Sequence, residues 1–294
     1  MSVQITTAMV KQYHANVTLQ LQQTNSRFSP YVLNDTLTGE YGFYDQIGAT
    51  AAQKKTTRHG PTPLVSTPHA RRRVTGYPYE WADLIDRPDI TRLLTDPTSA
   101  YVLNAVAAMM RSMDDEIIAA ADGTAYTGKD GGTSTSFDSN MIVPVTINND
   151  GTSATTGINL TKVRYAAKLL NANEVEKEDR FLAISAEQQD ELLAETKLVS
   201  RDYVGNYVIE EGRLTRIMGF TLVDSERLGL TSTNRKCLFW QKNGILLAKN
   251  DDIMVDVGVR RDLSLSKQVF VSMDIGATRM DEKRVGYILS SEAA

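Results

Sequence analysis

The residues that most resemble a reactive site lie between Gly123 and Asp130, where glycine and lysine have the spacing of a phosphate-binding loop. Gly128 and Lys129 stand where that motif holds phosphate groups. The next position should carry the hydroxyl group that binds magnesium, but it is Asp130, whose carboxylate would repel phosphate. The segment also follows a predicted helix, whereas a phosphate-binding loop follows a strand and begins a helix. An ATPase site is therefore rejected.

The histidines and the single cysteine do not form a site either. His14, His59 and His69 lie in different contexts, and none has the helical spacing or the cysteine partner that a zinc site requires. Cys237 lies in an apolar run, which predicts a buried and unreactive thiol. One cysteine also excludes a disulfide within the chain.

Three consecutive carboxylates, Asp114, Asp115 and Glu116, lie on a predicted helix. Adjacent helical residues point in different directions, so these groups do not converge on one reacting atom. A solvated or interface-facing patch is the better interpretation. We therefore expect no catalytic residue, no cofactor and no metal site, and a protein that is not an enzyme.

Composition and charge set the class of protein. The 294 residues are 41% hydrophobic and 23% charged, which is typical of one large globular domain or two of moderate size. The formal net charge of −4 excludes a protein that coats DNA, which needs a large positive balance. We find no signal-peptide pattern and no apolar window of about 20 residues, and expect a soluble protein made in the cytoplasm.

The clearest predicted element is a long helix over 97–122. Asp96 is its predicted N-cap, Pro97 its first residue and Gly123 its stop. At about 1.5 Å per residue, the helix would be roughly 39 Å long. Its apolar face is marked at three- and four-residue spacing by Val102, Val106, Met109, Met113 and Ile117.

The remaining elements alternate between helix and strand. Residues 4–24 predict an amphipathic helix, and 128–157 predict loops with short strands. A helix near 163–170 is followed by a buried strand at 181–184 and by a capping box at Ser185–Gln188, which opens a helix to about Glu195. Further strands are predicted at Leu214–Met218, Phe220–Val223, Cys237–Trp240, Ile253–Val257, Val269–Met273 and Gly286–Leu289.

A basic segment separates these elements from the N-terminus. Residues 46–79 contain no Asp or Glu, and prolines at 61, 63 and 68 exclude a helix there. We predict an extended two-stranded arm that a neighbouring subunit covers. Its six cations, uncompensated in the local sequence, are Lys54, Lys55, Arg58, Arg71, Arg72 and Arg73.

Several segments, in the same order along nearly the whole chain, resemble the coat proteins of tailed bacteriophages. Thr38–Tyr41 and Phe43–Gly48 resemble the entry to their extended loop, and Thr67–Arg73 and Trp81–Asp86 resemble its return. The family's spine-helix signature is resembled by three segments, Asp96–Tyr101, Arg111–Ala120 and Gly123–Gly128. Its axial domain is resembled by Lys162–Leu170 and Asp179–Ser185.

The resemblance implies an α+β chain with the Hong Kong 97-type coat fold. Its parts would be an N-terminal arm, an extended β-hairpin loop, a peripheral domain with a long spine helix, an axial domain, and C-terminal strands that return to the peripheral domain. In this sequence they correspond to 1–38, 39–90, 91–150 with the spine helix at 97–122, 151–262 and 263–294.

The resemblance also implies a function. The chain would be a major capsid protein that assembles with itself into the pentamers and hexamers of an icosahedral shell around double-stranded phage DNA, in the virion. Fewer than forty residues precede the loop, so we expect a separate scaffolding protein, together with a portal and, as a further candidate, a decoration protein. Two alternatives are a shell protein of a bacterial nanocompartment, which shares the fold, and a small cytoplasmic α/β enzyme.

The charge pattern yields a hypothesis about contacts between subunits. The six arm cations would repel one another unless acids oppose them. In the family the extended loop lies over a neighbour's peripheral domain. We therefore expect Arg71, Arg72 or Arg73 to meet Asp114, Asp115 or Glu116 of an adjacent subunit. The alternative is that these arginines are solvated or pair within their own chain.

The net charge of −4 predicts weak, salt-sensitive contact with packaged DNA, at the inner wall only. Binding of the purified protein to duplex DNA, measured by fluorescence anisotropy at physiological salt, should be weaker than micromolar. Sub-micromolar binding under those conditions would contradict the prediction.

Overall fold

The computed structural model describes residues 22–60, 62–85, 98–148, 154–195 and 214–292. The predicted helix at 4–24 lies outside these ranges except for its last three residues. Asp96 and Pro97, the predicted start of the long helix, also lie outside them. Three α-helices are present in the described chain: α1 (Thr98–Asp122), α2 (Leu160–Ala172) and α3 (Ala186–Ala194). The long helix and the two shorter ones are thus confirmed.

The described chain also contains fifteen strands. The first eight are β1 (Leu33–Thr36), β2 (Tyr41–Ile47), β3 (His69–Thr75), β4 (Tyr77–Ile85), β5 (Ala125–Thr127), β6 (Thr133–Thr135), β7 (Ile142–Val143) and β8 (Arg180–Ile184). The others are β9 (Arg216–Ile217), β10 (Phe220–Asp224), β11 (Leu230–Thr231), β12 (Asn234–Gln241), β13 (Ile245–Arg260), β14 (Ser266–Arg279) and β15 (Val285–Ser291).

These strands form three sheets. Two are four-stranded, with orders β1-β13-β14-β4 and β2-β3-β5-β6, and the third has the order β7-β15-β12-β8-β10-β9, with β11 attached to β12. In the third sheet β8 runs parallel to β10 but antiparallel to β12. Helices together with mixed sheets confirm the expected α+β class.

Each of the six strands predicted from Leu214 onward is present but has different ends in the structure. The strand expected at Leu214–Met218 is only Arg216–Ile217, because Met218 and Gly219 have φ angles of 48° and 87° and form the two-residue turn of a hairpin with β10. The strand expected at Ile253–Val257 is part of the sixteen-residue β13.

The chain divides into two compact units. The first comprises Met1–Ser26, Tyr77–Met113 and Asp251–Asp274, and the second comprises Arg27–Gly76, Asp114–Asn250 and Ile275–Ala294. In the first unit, Arg111 of α1 donates from Nη1 to Gln22 Oε1 at 2.8 Å and to the carbonyl oxygen of Gln23 at 3.1 Å. The helix thereby holds the segment that precedes residue 27.

The main core of the second unit lies between α2, α3 and the largest sheet. Val163, Ala166 and Leu170 repeat at three- and four-residue spacing on α2 and are buried. They belong to one apolar cluster with Leu182 of β8 and Phe239 of β12. Burying one large apolar side chain stabilises a fold by about 1.5–3 kcal/mol, so this cluster is what fixes α2 on the sheet.

Lys162 is fully buried at the start of α2. Its Nζ donates to the carbonyl oxygens of Thr156 at 2.6 Å, Gly157 at 2.7 Å and Leu289 at 3.1 Å. Burial lowers the pKa of Lys162 to about 8, so the amine is still mostly protonated at neutral pH and has three donors for three acceptors. The ammonium group therefore joins the N-terminal end of α2 to β15.

Replacing Lys162 by Met should destabilise the protein by about 1–3 kcal/mol, because buried carbonyl groups would lose their donor. Urea denaturation of the unassembled subunit measures this change. Lys168→Met is the matched control, since Lys168 is exposed on the same helix and should change stability by less than about 0.5 kcal/mol. Equal stability of the two variants would contradict the assigned role.

Candidate functional site

The predicted arm is an antiparallel hairpin. β2 and β3 pair in register from Tyr41 opposite Thr75 to Ile47 opposite His69, and the Gly48 N–H donates to the Pro68 carbonyl oxygen at 2.9 Å. The connecting segment has no regular secondary structure in its described residues, and nearly all of them are exposed.

The loop of this hairpin carries both charge and apolar surface. Lys54, Lys55 and Arg58 are exposed within it. Leu64 is 95% exposed, and Ile47 at the loop entrance is 71% exposed. Leu64 and the adjacent Val65 form a short exposed apolar stretch, and contiguous exposed apolar surface is typical of a site that another protein covers.

One face of the hairpin packs on its own chain. Strand side chains alternate between faces, and on β3 this buries Arg72 and Val74. Arg72 Nε donates to the Met280 carbonyl oxygen at 3.0 Å, and Nη2 lies 2.5 Å from Glu282 Oε2. The Gln46 side chain donates to the same Met280 carbonyl at 2.7 Å. The base of the hairpin is thus attached to the segment that follows β14.

The opposite face presents Arg71 and Arg73. Arg71 Nε donates to Asp45 Oδ1 at 2.6 Å, and this bond holds the pKa of the Asp45 carboxyl below its usual value. The Arg73 guanidinium lies 5.1 Å from the Tyr41 ring centre and 4.7 Å from that of Tyr126. The three consecutive arginines therefore have three different environments.

The carboxylates of α1 also have separate partners. Asp114 is buried and accepts the backbone N–H groups of Arg27, at 3.0 and 3.1 Å, and Phe28, at 3.2 Å. Asp115 accepts Arg227 Nε at 2.6 Å, while Glu116 is half-buried on the same helix. Asp114 thus anchors the segment that enters β1.

Sequence reasoning placed the charges correctly but missed their partners within the chain. Arg71 and Arg72 are compensated by Asp45 and Glu282, so neither is an uncompensated cation. Asp45 stands one residue before the acid-free segment, and the hairpin register could have identified it opposite Arg71. No local signal pointed to Glu282. Contact of these arginines with acids of another subunit stays a prediction.

Arg279 is a further residue that sequence reasoning missed. This side chain is fully buried, and its Nη1 donates to the carbonyl oxygens of Ala121 at 3.0 Å and Gly123 at 2.7 Å, at the end of α1. A cation in this position suits the negative end of a helix dipole. The contact spans more than 150 residues of sequence, so no pattern in the sequence identifies it.

The residues considered for chemistry are arranged as structural elements. Gly123 follows the end of α1, and the segment up to Lys129 belongs to the β5–β6 hairpin instead of a strand-to-helix loop. Cys237 is buried, as predicted, and this burial raises the pKa of its thiol, which disfavours the reactive thiolate.

Among the described residues, no cluster of His, Cys, Asp and Glu has a metal-binding arrangement. Nor is any helix in the same ranges long and apolar enough to span a bilayer.

The family comparison matches almost the whole chain. A family model described as phage capsid protein covers residues 5–292. The chain therefore belongs to the phage capsid protein family. No curated protein matches its sequence.

Solved capsids have the same fold. The capsid structure of cyanophage P-SCSP1u matches with a TM-score of 0.77 at 17% identity, over 97% of this chain and 94% of that one. The capsid of Ralstonia phage GP4 matches with a TM-score of 0.73 at 12% identity, over 97% and 96% of the two chains. These likenesses confirm the Hong Kong 97-type coat fold.

The expected class of function is confirmed as well. A phage capsid protein is a structural protein of the virion, and the family match favours this function over a nanocompartment shell and over a cytoplasmic enzyme. Capsid shell proteins as a family are not enzymes.

The Arg72–Glu282 contact can be used to test whether the arm arginines pair with acids of their own chain or with acids of another subunit. Arg72→Glu should destabilise the unassembled subunit by about 3–5 kcal/mol, because it places two carboxylates together in a nearly buried site. Adding Glu282→Arg should restore part of the loss in urea denaturation. Adding Asp115→Arg should not. If Asp115→Arg restored shell assembly to the Arg72→Glu variant and Glu282→Arg did not, pairing between subunits would be supported instead.

Proposed function

We propose that this chain is the major capsid protein of a tailed bacteriophage, and that its copies assemble as pentamers and hexamers into an icosahedral shell around double-stranded DNA. The observation that carries this proposal is the loop between Gly48 and Pro68, whose described residues are nearly all exposed, on a hairpin whose base is held by Arg72. The base is fixed and the loop is uncovered, so the loop is available to a second copy.

Each of the five regions defined by the resemblance is assigned a proposed role in the coat fold. Region 39–90 would be the extended loop, 91–150 the peripheral domain, and 151–262 the axial domain that meets other copies at the centre of a capsomer. Region 1–38 would be the N-terminal arm, and 263–294 would return to the peripheral domain. The helix Thr98–Asp122 supports the peripheral assignment, since it is the long element that the fold requires there.

Other partners are proposed from the fold family. A separate scaffolding protein would control curvature during assembly, a portal would occupy one vertex, and a decoration protein is a further candidate on the outer surface. Packaged DNA would touch the inner wall weakly. The net charge of −4 supports that last point, because a shell with little excess positive charge releases few counterions from DNA.

Negative-stain microscopy of the purified protein tests the main proposal. Closed shells or rings of five or six subunits are expected, alone or with the scaffolding protein of the same phage. Compact monomers under both conditions would contradict it.

The role of the loop is tested by replacing residues 49–68 with Asn-Gly-Thr. Asn-Gly forms a two-residue turn, and threonine in place of Pro68 supplies the backbone N–H that closes this turn on Gly48, so β2 and β3 keep their register. The variant should fold but lose shells, because it lacks the surface that a neighbour covers.

Thermal unfolding of the subunit is the control, with a transition close to that of the unaltered chain. Normal shells from the shortened hairpin would exclude the loop as an essential contact.

A further inference from the structure

Two buried guanidinium groups lie beside one carboxylate at the base of the hairpin. Arg72 is 5% exposed and Arg279 is fully buried. Arg72 Nη2 donates to Glu282 Oε1 at 2.6 Å, and Arg279 Nε lies 3.8 Å from the same oxygen atom. We call these three residues the arginine cluster. Two cations thus share one acid where both cations are removed from solvent, and buried charge that is not compensated destabilises a fold.

The surrounding groups do not supply the second negative charge. Asp122 is another acid near Arg279, but it accepts Lys236 Nζ at 2.5 Å, so this pair is neutral as a whole. The end of α1 offers Arg279 only the partial charge of a helix terminus, about half a unit. Burial lowers the pKa of Arg279, and repulsion from Arg72 adds to this change while Glu282 opposes it. The arginine cluster therefore keeps an excess of positive charge.

Hydrogen-bond donors in the cluster also outnumber acceptors. The Met280 carbonyl already accepts both Arg72 Nε, at 3.0 Å, and the Gln46 side chain, at 2.7 Å. Arg279 Nη1 is engaged by the carbonyl groups at the end of α1. Arg72 Nη1 and Arg279 Nε are buried and have no acceptor within the described residues. Nη1 carries two N–H groups and Nε carries one, so these atoms are donors only.

A site of this kind favours an anion over a water molecule. A buried water molecule typically makes about three hydrogen bonds and must donate in some of them. The neighbouring carbonyl groups of Met280, Ala121 and Gly123 already accept from arginine. An anion accepts hydrogen bonds without donating any, and it also compensates the second guanidinium. Bonds from arginine to an anion are roughly twice as strong as those between neutral groups.

We propose that one monatomic anion of the size of chloride binds between Arg72 Nη1 and Arg279 Nε. Both nitrogen atoms are closed off from solvent, which suits a halide better than a polyatomic phosphate. The anion would connect β3 of the hairpin to the last residue of β14, and through Arg279 to the end of α1. The site goes beyond the proposed function, because it belongs to the folded subunit and does not depend on assembly.

Thermal unfolding of the unassembled subunit tests the site. The midpoint is compared in sodium chloride and in sodium gluconate of equal ionic strength, so that screening of surface charges is the same in both. A ligand that binds only the folded state raises the midpoint of unfolding. We expect the midpoint to be about 2–4 °C higher in chloride, and the rise to level off as the chloride concentration increases.

Two conservative variants separate this site from other effects of salt. Arg72→Lys keeps the positive charge but lacks Nη1, so it should lose the rise in chloride. Arg71→Lys is the matched control, because Arg71 lies on the opposite, more exposed face of β3, and it should keep the rise. An equal rise in the two variants would overturn the proposal. So would the same midpoint of the unaltered chain in both salts.

Bromide gives a second readout that does not depend on the folding of a variant. Crystals of the unaltered subunit grown in sodium bromide should show an anomalous scattering peak within hydrogen-bonding distance of Arg72 Nη1 and Arg279 Nε. Density without an anomalous signal at this position would identify water and overturn the proposal. Bromide at surface positions alone would overturn it as well. None of these outcomes affects the formation of shells, which tests the proposed function separately.

Discussion

The second unit depends on the buried guanidinium of Arg279. The last carbonyl groups of a helix have no partners within the helix, and a buried helix end must find donors elsewhere. Arg279 supplies them to Ala121 and Gly123, and its Nε lies 3.8 Å from Glu282. The adjoining Met280 carbonyl and the Glu282 carboxylate then bind Arg72 of the hairpin. The end of α1 and the base of the hairpin are thus fixed by one short segment.

The arginines and carboxylates that follow one another in sequence have different functions because of backbone periodicity. On β3 the period of two buries Arg72 and leaves Arg71 and Arg73 on the outer face. On α1, consecutive residues are about 100° apart, so buried Asp114 faces the chain at Arg27 while Asp115 pairs with Arg227 at the surface. A run of like charges is therefore divided among separate local interactions, each of which stabilises a different element.

The exposed surfaces of the hairpin are those that another copy of the chain could contact. The loop between Gly48 and Pro68 belongs to the hairpin, and its described residues are nearly all exposed; on the outer face of the hairpin sheet, Tyr41, Phe43 and Tyr126 are each more than 40% exposed. The residues buried at the hairpin base, such as Arg72 and Val74, hold these surfaces in place. Folding contacts thus lie on one face of β3, and the opposite face is exposed, so mutations can alter the two faces separately.

The sequence by itself determined the elements and the class of protein. The spacing of Met109, Met113 and Ile117 predicted α1, the capping box at Ser185 predicted α3, and the colinear motifs indicated the coat fold, because these signals are local periodicities or short patterns. Only the tertiary structure decided the partners of the charges. Glu282 and Arg279 lie more than 150 residues from the groups that they bind. Their contacts arise from chain folding over distances at which no periodicity carries information.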